Sequence, residues 1–144
     1  MYIFKNPKIG GEVTPHKDSS FLITDPLSVC GIWIALDGAS KENGCMWGVP
    51  GSHLKNPTQF LKTRQEGDQV VTFMDGPEDE YSQEGAVPLE VSAGSIVLLH
   101  GSFLHYSDPN RSSQQRHAYT VHVVEGDYKY SEENWLKRDD FKNM

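Results

Sequence analysis

The chain has 144 residues, 37% of them hydrophobic and 23% charged, and 13 Lys+Arg against 20 Asp+Glu give a net charge of −7. That length suits a single domain, here expected over residues 1–144, able to bury roughly two thirds of its unfolded surface. The acidic balance argues against nucleic acid as the main partner, which would need clustered positive charge. No run reaches the ~18 apolar residues of a membrane-spanning helix. Cys30 and Cys45, outside any Cys-x-x-Cys pairing, point to a reducing, cytoplasmic setting.

Taken in order, Gly10-Gly11 marks a turn or a close backbone approach. His16 and Asp18 follow, two residues apart. Pro15 has no amide to donate and disfavours helix at Thr14, so the approach to His16 reads as extended. In a strand, residues i and i+2 share a side, so His16 and Asp18 can converge on one ion while Lys17 turns away. Residues 28–36 (Ser-Val-Cys-Gly-Ile-Trp-Ile-Ala-Leu) form a β-branched and aromatic run, read as a buried strand. Residues 37–44 are a turn-rich loop, and residues 45–53 a second short strand stopped by Pro50-Gly51. Residues 54–69 are ambiguous between helix and loop. Residues 69–74 read as a strand, and residues 75–85, which hold Asp75, Glu78, Asp79, Glu80 and Glu84, as an exposed acidic loop. Residues 86–91 alternate, Ala93-Gly94 turns, and residues 95–105 read as one strand ending on His105. A polar loop over residues 107–115 leads to the cleanest strand, residues 116–125. Beyond Gly126, Ser131 reads as an N-cap before residues 132–136. No repeat is present. Many short strands with few short helices predict an all-β sandwich or jelly roll of the cupin kind.

His105 is the strongest third partner for His16 and Asp18. Two histidines and a carboxylate on one face, with open positions, form the constellation of non-haem Fe(II) oxygenases. The same set suits catalytic Zn2+, and an isolated His-x-Asp also reads as a polar strand end, so these alternatives stay open at this level. Ser52 lies in no Gly-x-Ser-x-Gly elbow, which gives no support to a serine hydrolase.

Four segments carry a resemblance: His16-Lys17-Asp18-Ser19-Ser20-Phe21-Leu22, Asn43-Gly44-Cys45 with Val49-Pro50-Gly51-Ser52-His53, His105-Tyr106-Ser107, and Arg116-His117-Ala118-Tyr119-Thr120-Val121-His122. From about residue 10 to residue 136 the chain resembles the phytanoyl-CoA dioxygenase family. The resemblance implies a double-stranded β-helix, Fe(II), 2-oxoglutarate, O2 and oxidative hydroxylation of a small molecule, acyl-CoA or lipid-like compounds included. His16, Asp18 and His105 resemble the iron ligands. Arg116 resembles the arginine that pairs with the far carboxylate of 2-oxoglutarate, a task that a guanidinium fork suits. Ser107 can donate its hydroxyl to that carboxylate, and Trp33 matches a position that lines the cosubstrate pocket. Arg116, Ala118, Thr120 and His122 share one strand face, where the small Ala118 and Thr120 leave room for a bound acid. His53 is expected to be structural, and His100, His117 and His122 to be packing or surface residues. Family members carry a long N-terminal half with helices that buttress the sheet, whereas 15 residues precede His16 here. Two outcomes follow: a working dioxygenase, or a truncated, impaired fragment that binds metal or a partner and tends to self-associate.

Overall fold

Short β-branched and aromatic runs, each cut off by glycine, proline or asparagine, favour sheet over helix throughout. The structure, a computed structural model, describes residues 1–137. Its strands are β1 (Tyr2–Lys5), β2 (Val13–His16), β3 (Thr24–Asp25), β4 (Cys30–Ala35), β5 (Met46–Gly48), β6 (Phe60–Glu66), β7 (Gln69–Asp75), β8 (Val87–Leu89), β9 (Ile96–His100), β10 (His105–Ser107), β11 (Arg116–Val123) and β12 (Lys129–Tyr130). Two 3-10 turns, Asp18–Ser20 and Ser52–Leu54, are the only helical pieces among the described residues. One four-stranded antiparallel sheet runs β1-β11-β4-β9, a second runs β2-β10-β5-β8, and β3–β12 and β6–β7 form two small ribbons. This is the double-stranded β-helix that the strand pattern predicts.

Period-two alternation gives the larger sheet two distinct faces. Inward point Gly31, Trp33 and Ala35 from β4, Leu99 from β9, and Arg116, Ala118 and Thr120 from β11, all buried. Trp33, Ala35, Leu99 and Ala118 join Met46 from the second sheet in the hydrophobic core. The outward face is also apolar. Phe4 is 62% exposed, Ile96 60% and Leu98 69%, and Tyr119, Val121 and Val123 stand beside them. An antiparallel sheet with one solvated face ordinarily carries polar residues there, so this sheet has the composition of one covered on both sides.

Three readings need correction. Residues 95–105 are not one strand: β9 and β10 lie in different sheets, broken at Gly101-Ser102. A Cβ on Gly101 would stand 2.3 Å from Ser19 Oγ and 2.6 Å from the Val29 carbonyl oxygen, so the chain crosses between sheets where only glycine fits. Within residues 54–69 the chain forms β6, paired with β7 through the two-residue loop Gly67-Asp68, with Gly67 at φ +59°. Residues 132–136 form no helix. Ser131 Oγ accepts from the Glu133 amide, but buried Asn134 then bonds both the amide and the carbonyl of Ile23, at 2.8 Å each, and the turn goes no further.

Candidate active site

His16 ends β2, and Lys17 stays extended at φ −121°, ψ 131° before Asp18 opens its 3-10 turn. The i, i+2 logic therefore holds through Lys17, although the strand stops at His16. Lys17 turns away as expected, with its Nζ donating to the Ser52 and Lys55 carbonyls. His105 opens β10 directly across from His16 in the antiparallel pair. The two imidazole centroids are 4.3 Å apart. Nε2 of His16 lies 3.6 Å from Asp18 Oδ1, and Nε2 of His105 lies 3.8 Å from the same oxygen. One donor atom from each of the three residues falls within 4.8 Å of the others.

The far side of each ring fixes its orientation. Nδ1 of His16 is 2.8 Å from the Thr14 carbonyl oxygen, and Nδ1 of His105 is 2.9 Å from that of Phe103. With Nδ1–H donating to these carbonyls, each neutral ring presents its Nε2 lone pair to the shared point, as metal-binding histidines do. Burial, followed by the nearby His16, lowers the His105 pKa and favours the neutral ring. Burial also acts to lower the His16 pKa, but Asp18 and the Thr14 carbonyl outweigh it and the net shift is upward. Burial alone would raise the Asp18 pKa, yet the imidazoles of His122, His16 and His105 hold its carboxyl well below the usual range. Three convergent donors, two imidazole and one carboxylate, fit a divalent transition metal with positions to spare.

The same cavity, of about 240 Å3, is lined on its other side by Trp33 and Arg116 of the larger sheet, with Ser107 beside His105 on β10. Arg116 is 1% exposed. It donates from Nε and Nη2 to the Gly44 carbonyl at 3.1 and 2.8 Å, and from Nη2 to Ser107 Oγ at 3.5 Å. Among the described residues no carboxylate lies within ion-pair distance of it. Burial brings its pKa down to about 10, which still leaves a full positive charge at neutral pH. A buried, unpaired cation is costly unless an anion joins it. Trp33 lies near the guanidinium, 5.6 Å from ring centre to Cζ, and its buried indole N–H has no acceptor among the described residues. The cavity thus sets an orphan charge opposite the three convergent ligands.

Sequence reasoning passed over two contributors. Gly44, at φ +81°, supplies the carbonyl that orients Arg116, and a Cβ there would stand 2.6 Å from the Asp108 carbonyl oxygen. Asn43 braces that loop by bonding Ser40 and Gly38. The Asn-Gly-Cys segment was visible, but no spacing rule links it to an arginine 72 residues on. His122, expected to be a packing or surface residue, lines the cavity with Nε2 3.2 Å from Asp18 Oδ2. Its place on the Arg116 face was the available signal. Ser52 accepts from the Leu104 amide and His53 is exposed, so neither reaches the site.

Residues 1–118 match the phytanoyl-CoA dioxygenase (PhyH) family. The chain belongs to this family. It is 49% identical over 140 residues to a phytanoyl-CoA dioxygenase of Arabidopsis thaliana, covering 96% of this chain and 48% of that protein. It is 46% identical over 139 residues to phytanoyl-CoA dioxygenase domain-containing protein 1 of Danio rerio, covering 95% and 48%. Among solved structures it resembles a non-heme alpha-ketoglutarate-dependent carbocyclase from nogalamycin biosynthesis, with 27% identity, a TM-score of 0.67, and coverage of 90% of this chain and 49% of that one. The chain spans about half the length of the family relatives it matches. Among the described residues no helix is long and apolar enough to cross a membrane.

Proposed function

We propose that this chain is a double-stranded β-helix domain, expected over residues 1–144, the last seven of which lie outside the described residues, of an Fe(II)- and 2-oxoglutarate-dependent dioxygenase that hydroxylates a small molecule. The observation that carries the reading is one cavity with the Nε2 atoms of His16 and His105 and Oδ1 of Asp18 on one wall and the unpaired Arg116 on another. His16, Asp18 and His105 would hold the metal, and Arg116 with Ser107 the far carboxylate of 2-oxoglutarate. Trp33 lines the wall beside Arg116. Fe(II) with 2-oxoglutarate supplies O2-dependent oxidation of an unactivated C–H bond, releasing succinate and CO2.

The residues themselves bind, orient and exclude water. The Thr14 and Phe103 carbonyls keep both imidazoles in the tautomer that offers Nε2. The Gly44 carbonyl takes one side of the Arg116 fork and leaves the other for a carboxylate. Leu99, Met46 and Ile3 supply apolar wall that keeps the site dry and strengthens the charge contacts within it. An acyl-CoA or lipid-like substrate agrees with that wall and with the family description. A cytoplasmic, reducing location suits the free thiols of Cys30 and Cys45.

The test is an anaerobic titration with Fe(II) and then 2-oxoglutarate, followed by visible absorption. A weak charge-transfer band that needs both is the expected result, and its absence at saturating concentrations would refute the reading. A second reading, a fragment that binds metal or a partner without turnover and self-associates, is favoured by the apolar outer face of the larger sheet. O2-dependent succinate formation separates the dioxygenase from this second reading and from a zinc hydrolase, neither of which forms it.

A further inference from the structure

Asp18 is held by more than the donor set requires. Its Oδ1 faces His16 and His105, whereas its buried Oδ2 makes no hydrogen bond among the described residues and lies against the larger sheet. There Gly31 of β4 and His122 of β11 are cross-strand partners. A Cβ on Gly31 would stand 2.8 Å from Oδ2, so the carboxylate rests where a side chain would otherwise begin. His122 Nε2 lies 3.2 Å from the same oxygen, within a donor's reach.

A carboxylate can give a metal one oxygen or two, and each added contact uses a position that a cosubstrate or O2 would need. We infer that the Gly31–His122 pair fixes Asp18 as a one-oxygen donor, with His122 donating Nε2–H to Oδ2 and Gly31 providing the space. His122 is a positioning residue, because its nitrogens lie outside the set of mutually close donor atoms. Buried Oδ2 gains the partner it otherwise lacks. This inference rests on the metal-centre reading above.

The test is Co(II) titration of the full chain and its variants by visible absorption, alongside thermal unfolding of each metal-free form. His122→Gln keeps an N–H donor and is expected to bind Co(II) within about threefold of wild type with the same bands, whereas His122→Phe fills the space without donating and is expected to lose about 10–100-fold in affinity. Gly31→Ala is expected to fall with His122→Phe and to change the band pattern, since its Cβ displaces Oδ2, and it serves as the independent variant if His122→Phe fails to fold. Wild-type affinity and bands in both His122→Phe and Gly31→Ala overturn the inference and leave the metal centre standing. So does a His122→Gln loss as large as that of His122→Phe at equal metal-free stability. No Co(II) binding by the wild-type chain overturns the metal centre and this inference together.

Discussion

Replacing Arg116 with lysine keeps a buried positive charge and removes the fork. In the native arrangement Nε and Nη2 hold the Gly44 carbonyl at 3.1 and 2.8 Å, Nη2 reaches Ser107 Oγ at 3.5 Å, and the Nη1 edge has no protein partner among the described residues. A single ammonium cannot bond Gly44 and still meet a carboxylate at two points. The expected loss is one charge-assisted hydrogen bond, about 1.5–3 kcal/mol, or roughly 10- to 100-fold in the dissociation constant of 2-oxoglutarate. Ser107→Ala removes a neutral hydroxyl and is expected to cost about 0.5–1.5 kcal/mol, roughly two- to tenfold. Anaerobic calorimetry on the Fe(II)-saturated chain measures both. Fe(II) affinity without 2-oxoglutarate serves as the control and should be unchanged in either variant. An Arg116→Lys chain that binds 2-oxoglutarate as tightly as wild type would refute the assignment, because charge alone would then suffice.

Alanine at His16, Asp18 or His105 is expected to weaken Fe(II) binding at least ~10-fold in equilibrium titration, and undiminished affinity in all three variants would remove the site. Burial, together with nearby Arg116, brings the Lys5 pKa down to about 8 from 10.5. The unfolded chain then holds the extra proton between those values, so the stability tied to Lys5 grows as pH rises through that window and is lost as pH falls through about 8. Burial raises Tyr81, Tyr106 and Tyr130 and pushes Cys45 up to about 11, which act in the opposite sense. The informative quantity is therefore the urea-unfolding stability of Lys5→Met minus that of wild type: it should fall from pH 8 to pH 10, whatever its sign once the carbonyls of Gly11, Ser107 and Asp108 lose their donor, and a constant difference would contradict it. Fe(II) and 2-oxoglutarate, each at 100 times its dissociation constant, are expected to add ~2.7 kcal/mol apiece if independent, read as a rise in Tm, and an unchanged Tm would mean neither favours the folded form. The apolar outer face should make the metal-free chain associate in sedimentation, and Leu98→Lys with Val121→Lys should disperse it. A concentration-independent monomer would instead show that this face tolerates water.

Alternation made the faces of β4 and β11 legible, because each inward position is small, apolar or an intended polar group. The His-x-Asp spacing was legible because Lys17 stays extended, and that is the conformation the rule assumes. Harder to read were features set by close approach. The break at Gly101 depends on Ser19 and Val29, and the orientation of Arg116 depends on Gly44, contacts that no local pattern encodes. Strand β6 was obscured by its polar, exposed second half, Arg64-Gln65-Glu66, although Gly67-Asp68 is a hairpin signal in its own right. Asn134 was hidden for a related reason: its side chain imitates a backbone partner for Ile23, so a segment that reads as a helix start ends as a latch.

The two walls of the cavity belong to sheets that share no hydrogen-bond ladder: His16 and His105 stand on one, Trp33 and Arg116 on the other. A small acid that reaches from one wall to the other becomes a cross-brace between layers otherwise joined by side-chain packing and a few buried side-chain hydrogen bonds, Arg116 and Lys5 to Ser107 among them. Any opening that parts the two sheets would then require its release. Amides of β10 and β11 should gain protection from hydrogen exchange together when the acid binds, despite lying in different sheets. The ribbon β6–β7, which pairs only with itself apart from the Lys62–Asn134 bridge, should exchange at the same rate with or without it.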